Sequence, residues 1–178
     1  MKVRNILTGL VAALMTATPS FAGNTLRDHS QLIDTLEEAG VTVRVNPRDC
    51  KDDFHGYYNR RDVVLAVCQD HGRPGGRQVR WTSNDLDTLR HEAQHVIQDC
   101  MVGGLGDMRS DTYFTQEELI EFLAKSRLTR ENIEDIIQSY IKQGASKETV
   151  IMELEAFAVA LDIDAESITG AVERMCMS

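Results

Sequence analysis

Beyond its first two dozen residues, this 178-residue chain has no apolar run long enough to cross a bilayer, no CxxC pair, no internal repeat and no low-complexity stretch. Each absence removes a class of protein. Without a second long apolar run, the rest of the chain is expected to be soluble. Without CxxC, a cysteine-rich zinc module is not indicated. Without repeats or biased stretches, the length suits one domain. Positive charge is scarce as well: 19 Lys and Arg stand against 28 Asp and Glu, for a net charge of −9. So acidic a chain is a poor partner for nucleic acid, and no nucleic-acid role is expected.

The start of the chain reads as an export signal. Lys2 and Arg4 precede an apolar run over 6–15, and Ser20-Phe21-Ala22 places small residues where a signal peptidase needs them. Cleavage after Ala22 is expected, which makes 1–22 a signal peptide and 23–178 a single domain. An uncleaved tether is the alternative. Removing 1–22, with two positive and no negative charges, leaves 156 residues and takes the net charge from −9 to −11. No Cys follows the apolar run, so no lipid anchor is indicated there. A secreted or periplasmic protein without stable membrane insertion follows. Its four Cys then read as two disulfides. Of three connectivities, Cys50 with Cys68 and Cys100 with Cys176 are favoured, the first bracing neighbouring extended segments and the second tying a central helix to the C-terminus.

Periodicity sketches the fold. A helix is predicted over 25–39, ended by Gly40, then strands over 41–45 and 62–69 separated by a polar loop with Asp52, Asp53 and Gly56. Thr82 with Asp85 caps a helix that stops at Gly103 and Gly104. Capping signals at Thr115, Thr129, Ser146 and Asp164 open four more helices. The expected class is α+β, a short twisted sheet packed against helices.

The predicted central helix carries His91-Glu92-Ala93-Gln94-His95, an HExxH motif. At helical pitch the two His project about 40° apart on one face, close enough to share a metal ion. Glu92 stands beside them as a proton acceptor for water. In a chain with only five His, a chance match is expected about one time in a hundred or less. The plain alternative is a solvated helix face. Leu86, Leu89, Ala93, Val96, Ile97, Cys100 and Met101 form the apolar side, and His91 and His95 point away from it.

Two His do not complete a catalytic zinc site, which takes three protein ligands and an open position. Gln98 and Met101 stand where a metzincin has Gly and its third His, so that pattern is absent. Asp99 either supports a ligand or is simply solvated. Glu117, Glu118 and Glu121 have thermolysin-like spacing but look like the solvated side of a helix. The stretch 150–161 is more informative: ten of its twelve residues are apolar and cover every side of the helix, with Glu153 and Glu155 as exceptions. Buried carboxylates need a cation or hydrogen-bond donors. Glu153 shares its side with the small Ala156 and Ala160, which allow close approach to the HExxH helix. Glu155 is flanked by Ile151, Met152 and Val159, with less room. Both remain candidates, and a salt bridge from each to an Arg is the competing account.

His91-Glu92-Ala93-Gln94-His95 with the later Glu153-Leu154-Glu155-Ala156 resembles the gluzincins, especially the small single-domain minigluzincins. The resemblance implies a zincin-like fold with HExxH on the active-site helix. It also implies zinc held by His91, His95 and Glu153, with Glu92 as the catalytic base, and a substrate-aligning edge strand at 63–67. Phe157 departs from the pattern, standing where some of these groups have Asp or Asn. The expected function is that of a secreted zinc metallopeptidase acting on peptides or proteins. Tyr113, Tyr140, His55, Tyr57 and Tyr58 are candidate stabilisers of the oxyanion. The alternatives are an exported, disulfide-braced metal-binding or interaction protein without activity, and a zinc hydrolase of non-peptide amides.

Overall fold

The structure is a computed structural model, and it describes residues 26–51 and 55–178. The expected signal segment lies outside the described residues. In chain order the elements are α1 (Leu26–Glu38), β1 (Thr42–Val45), β2 (Gly56–Asn59), β3 (Val64–Val67), α2 (Ser83–Cys100), α3 (Gln116–Lys125), α4 (Arg130–Lys142), α5 (Lys147–Asp162) and α6 (Ala165–Cys176). The class is α+β, as expected.

The capping signals act where the sequence puts them. Thr82 and Asp85 form a reciprocal box at the start of α2, Thr115 and Glu118 do so at α3, and Thr129 and Asn132 at α4. The side chains of Ser146 and Asp164 cap α5 and α6. Each box satisfies backbone N–H groups that a helix start leaves unpaired.

The sheet differs from expectation in one strand. Its order is β1-β3-β2, with β1 parallel to β3 and β2 antiparallel to it, Tyr57 opposite Ala66. The segment Gly-Tyr-Tyr-Asn of β2 falls within the expected polar loop, whose Asp52 and Asp53 lie outside the described residues, and all four of its residues are half-buried. The expected edge strand is likewise corrected. Val64–Val67 is buried at every position and lies in the middle of the sheet, which leaves β1 and β2 as the edges. A strand covered on both faces reads as a continuous apolar run, and that is what β3 is.

α2 is the centre of the molecule, touching α5, α6, β2 and β3. Leu89, Ala93, Val96 and Ile97 enter a core shared with Leu32 and Leu36 of α1, Leu65 and Val67 of β3, Val159 of α5, and Ile168 and Val172 of α6. The helix is less amphipathic than its sequence pattern suggests: 14 of its 18 residues are buried, among them Arg90, Glu92, Gln94, Gln98 and Asp99. Its polar side is roofed by α5 and β2 instead of facing water. Arg90 illustrates the seam, donating through Nε to the carbonyl of Ala160 on α5 at 2.8 Å and pairing with Asp87 one turn back.

Two disulfides are formed, Cys50–Cys68 and Cys100–Cys176. The first joins the segment after β1 to the end of β3. The second ties the last turn of α2 to that of α6. Among the described residues no helix is long and apolar enough to cross a membrane. These two features are compatible with an extracellular protein.

Candidate metal centre

His91 and His95, one turn apart on α2, turn their Nε2 atoms toward each other at 3.1 Å, with ring centroids 4.8 Å apart. Glu153 reaches them from α5. Its Oε2 lies 3.3 Å from His91 Nε2 and its Oε1 lies 3.5 Å from His95 Nε2. Helix α5 comes close enough because Ala156 and Ala160 are small and buried, at 0% and 4% exposure.

The donor set fits zinc. A tetrahedron with metal bonds of about 2.0–2.2 Å has edges of about 3.3–3.6 Å. Here the two Nε2 atoms are 3.1 Å apart, each faces a different Glu153 oxygen at 3.3 and 3.5 Å, and one donor atom from each residue lies within 4.8 Å of the others. Two imidazole nitrogens and one carboxylate are also the donor types zinc takes in catalytic sites. Among the described residues these three form a metal-capable group, and their side chains keep 11–14% of their surface open to solvent. A structural zinc site closes its shell with a fourth protein ligand. This cluster has three and faces water.

Charge in the cluster is strongly coupled. Burial pushes the Glu153 carboxyl up, but the hydrogen bonds and charges of His91 and His95 outweigh it and hold Glu153 well below the usual carboxylate range. Burial opposes charge on His95, yet its bond to Glu153 and the nearby Glu92 and Glu153 carboxylates push it up to about 9. Glu92 is buried, with 7% of its surface exposed. Desolvation raises its pKa above the ordinary value, while His91, His95 and a hydrogen bond from the Tyr58 backbone pull the other way.

The neighbours divide clearly. Tyr140 on α4 donates to Glu153 Oε2 at 2.7 Å. Of the five oxyanion candidates it alone is seen bonded to the cluster. Tyr57 bonds Asp49, Tyr58 bonds Asp99, Tyr113 lies in the core and His55 stands exposed near Asp70. Asp99 is neither solvated nor bonded to a His. It is fully buried and accepts from Tyr58 Oη at 2.8 Å and from the Gly106 N–H at 3.3 Å. Glu118 serves the α3 cap and Glu121 pairs with Lys125.

Glu155 points away from the cluster. It is fully buried and accepts from Gln94 Nε2 at 2.7 Å, Gln98 Nε2 at 2.9 Å, and the backbone N–H groups of Tyr113 and Phe114, each at 3.0 Å. Burial raises its pKa and these four donors oppose the rise. The salt bridge to Arg expected as a rival account is therefore replaced by four N–H groups. Gln98, noted in the sequence only as a departure from the metzincin pattern, bonds His95 Nδ1 through Oε1 at 2.7 Å. Its position three residues after His95, on the same helical face, is a signal that points to this role.

The fold and the cluster thus define an α+β protein with a His-His-Glu group across two buried helices. Residues 21–177 match the model of DUF8637, a domain of unknown function, and the chain belongs to that family. No curated protein and no solved structure matches it.

Proposed function

We propose that this protein is an exported zinc metallopeptidase of the gluzincin type, in which His91, His95 and Glu153 hold the metal. The observation that carries the proposal is the convergence of these three side chains at zinc-site spacing beside the buried Glu92. A zinc ion there supplies Lewis acidity, making water a better nucleophile near neutral pH and polarising a substrate carbonyl. Glu92 accepts the proton of the attacking water and delivers it to the leaving amine. Burial raises its pKa above the ordinary carboxylate value in the metal-free protein, and a bound dication would oppose that rise. Tyr140 holds Glu153 in place and keeps its own proton, its pKa being raised by burial and by Glu153.

The substrate chain has a rail beside the site. The carbonyl of His55 accepts from Cys68 N–H, so alternation turns His55, Tyr57 and Asn59 toward β3 and sends the backbone groups of Gly56 and Tyr58 to the outer edge. The bond from Tyr58 N–H to Glu92 agrees with that alternation. An extended peptide or protein segment laid along the edge of β2 would pass Glu92 and pair with the outward groups of Gly56 and the Tyr58 carbonyl, the Tyr58 N–H being engaged by Glu92, without strong sequence preference. This moves the substrate-aligning role from 63–67 to β2.

Glu92→Gln tests the proposal. Zinc-loaded wild-type protein should cleave members of a peptide library, and the variant should keep its zinc while losing at least about 10²-fold in turnover. Equal cleavage by both proteins, or none by the zinc-loaded wild type, contradicts it. The latter result selects a metal-binding or interaction protein without peptidase activity.

A further inference from the structure

The ligand geometry leaves a second polar group on the α2–α5 seam with no metal-binding part, formed by Gln94, Gln98 and Glu155. Gln98 is fully buried, and both ends of its amide are engaged. Its Nε2 lies 3.0 Å from the carbonyl of Met152 and 2.9 Å from Glu155 Oε1, both on α5. Its Oε1 lies 2.7 Å from His95 Nδ1. The two α5 partners offer oxygen acceptors. Glu155 is surrounded by four N–H donors, which leaves no partner for a carboxyl proton. The amide nitrogen must therefore face α5, and the amide oxygen must face His95.

That orientation dictates the imidazole. A carbonyl oxygen only accepts, so His95 carries a hydrogen on Nδ1. With Nδ1 protonated, the neutral ring presents its lone pair at Nε2. Nε2 is the atom turned toward His91 and Glu153. His91 is held differently: its Nδ1 is buried and has no hydrogen-bond partner among the described residues, and Phe157 packs against its ring.

We propose that Gln98 is a positioning residue that fixes the Nδ1–H tautomer of His95, and that Glu155 acts on the metal centre only through Gln98. The proposal rests on the reading of His91, His95 and Glu153 as metal ligands. It assigns Glu155 a role distinct from that of Glu153, two residues away. The reach runs from α5 to the far side of the imidazole.

The test is a double-variant cycle on the mature protein, read as zinc affinity by chelator competition and as the absorption bands of the cobalt-substituted form. Gln98→Met keeps the length of the side chain and removes the acceptor. It should weaken zinc binding about 10–100-fold, the usual effect of losing a partner that orients a ligand, and alter the cobalt bands. Glu155→Met should weaken binding by a similar factor. The double variant should bind no more weakly than the weaker single variant, because the two residues act in series. Wild-type affinity in Gln98→Met, or multiplying effects in the double variant, overturns the proposal. If Glu155→Met fails to fold, the wild-type protein decides: the Gln98 side-chain amide protons should be protected from exchange, and exchange at the rate of a free amide overturns the proposal. Failure of the metal reading looks different, since wild-type protein would then bind no zinc. In that case nitrogen-15 shifts of His95 above pH 10 still report the tautomer, with Nδ1–H supporting the inference and Nε2–H overturning it.

Discussion

The ring of Phe157 stands edge-on to the ring of His91, with centroids 4.4 Å apart and planes at 63°, and His91 Nδ1 is buried beneath it without a hydrogen-bond partner among the described residues. One imidazole of the pair is thus held by an amide and the other by packing. Were Nε2 to ligate a metal, Nδ1 would carry the hydrogen, and an unpaired buried N–H costs about 1–3 kcal/mol. Phe157→Asn offers His91 an acceptor. Zinc affinity by chelator competition should rise by up to about tenfold, with some loss of melting temperature from the missing aromatic contact. Unchanged or weaker zinc binding would show that Phe157 already orients His91 as well as a polar partner can.

Proton and zinc compete for His95. With its pKa pushed up to about 9 by Glu153 and Glu92 against burial, the ring must lose a proton before it ligates. Apparent zinc affinity should climb with pH from 6 to about 9, by about tenfold per unit for each proton released, and then level off. The protein stripped of metal should behave in the opposite sense. Its folded state holds this proton more tightly than the unfolded chain, whose His titrates near 6.5. That stabilisation is complete below about pH 6.5 and is lost as pH rises through about 9. Melting curves with and without zinc across this range check both trends, and a pH-independent zinc affinity contradicts them.

Gly56 sets the gap between β2 and α2. A Cβ there would lie 2.5 Å from Thr88 Cγ2 and 2.7 Å from the carbonyl of Ala66, with Glu92 Cγ at 3.4 Å. Gly56→Ala should destabilise the fold by about 1–3 kcal/mol and slow peptide hydrolysis by displacing Glu92, while zinc affinity changes little. Thr88→Ser in the same background removes one clash and leaves the backbone one, so recovery should be partial. Thermal melts and turnover of the two variants measure this, and full activity and stability in Gly56→Ala would refute it.

The parts of this molecule legible in its sequence are those encoded within a few residues. Helix starts at Thr82, Thr115 and Thr129 follow from reciprocal caps over four positions, and the pairing of His91 with His95 follows from helical pitch. Both disulfides join the Cys pairs favoured from the sequence. The small Ala156 and Ala160 on the side of Glu153 favour it over Glu155 without deciding between them, and the structure turns Glu153 to the two His and Glu155 away. What could not be read depends on distant partners. Strand β2 owes its existence to pairing with β3, since its own four residues carry no strand pattern. How deeply the polar side of α2 is buried was not legible, because its roof, α5, begins only at Lys147, well after α2 ends at Cys100. The bonds from Gln98 to Met152 and Glu155 cross 54 and 57 residues, and no local periodicity announces them.

The central claim is that His91, His95 and Glu153 form a zinc site and that Glu155 does not belong to it. Zinc content after dialysis against a zinc buffer tests this most directly, in wild-type protein, His91→Ala, Glu153→Ala and Glu155→Gln. The account predicts one zinc per chain in the wild type and in Glu155→Gln, and loss of zinc in the other two. A wild-type chain without zinc, or a Glu153→Ala chain that retains it while Glu155→Gln does not, would contradict the account.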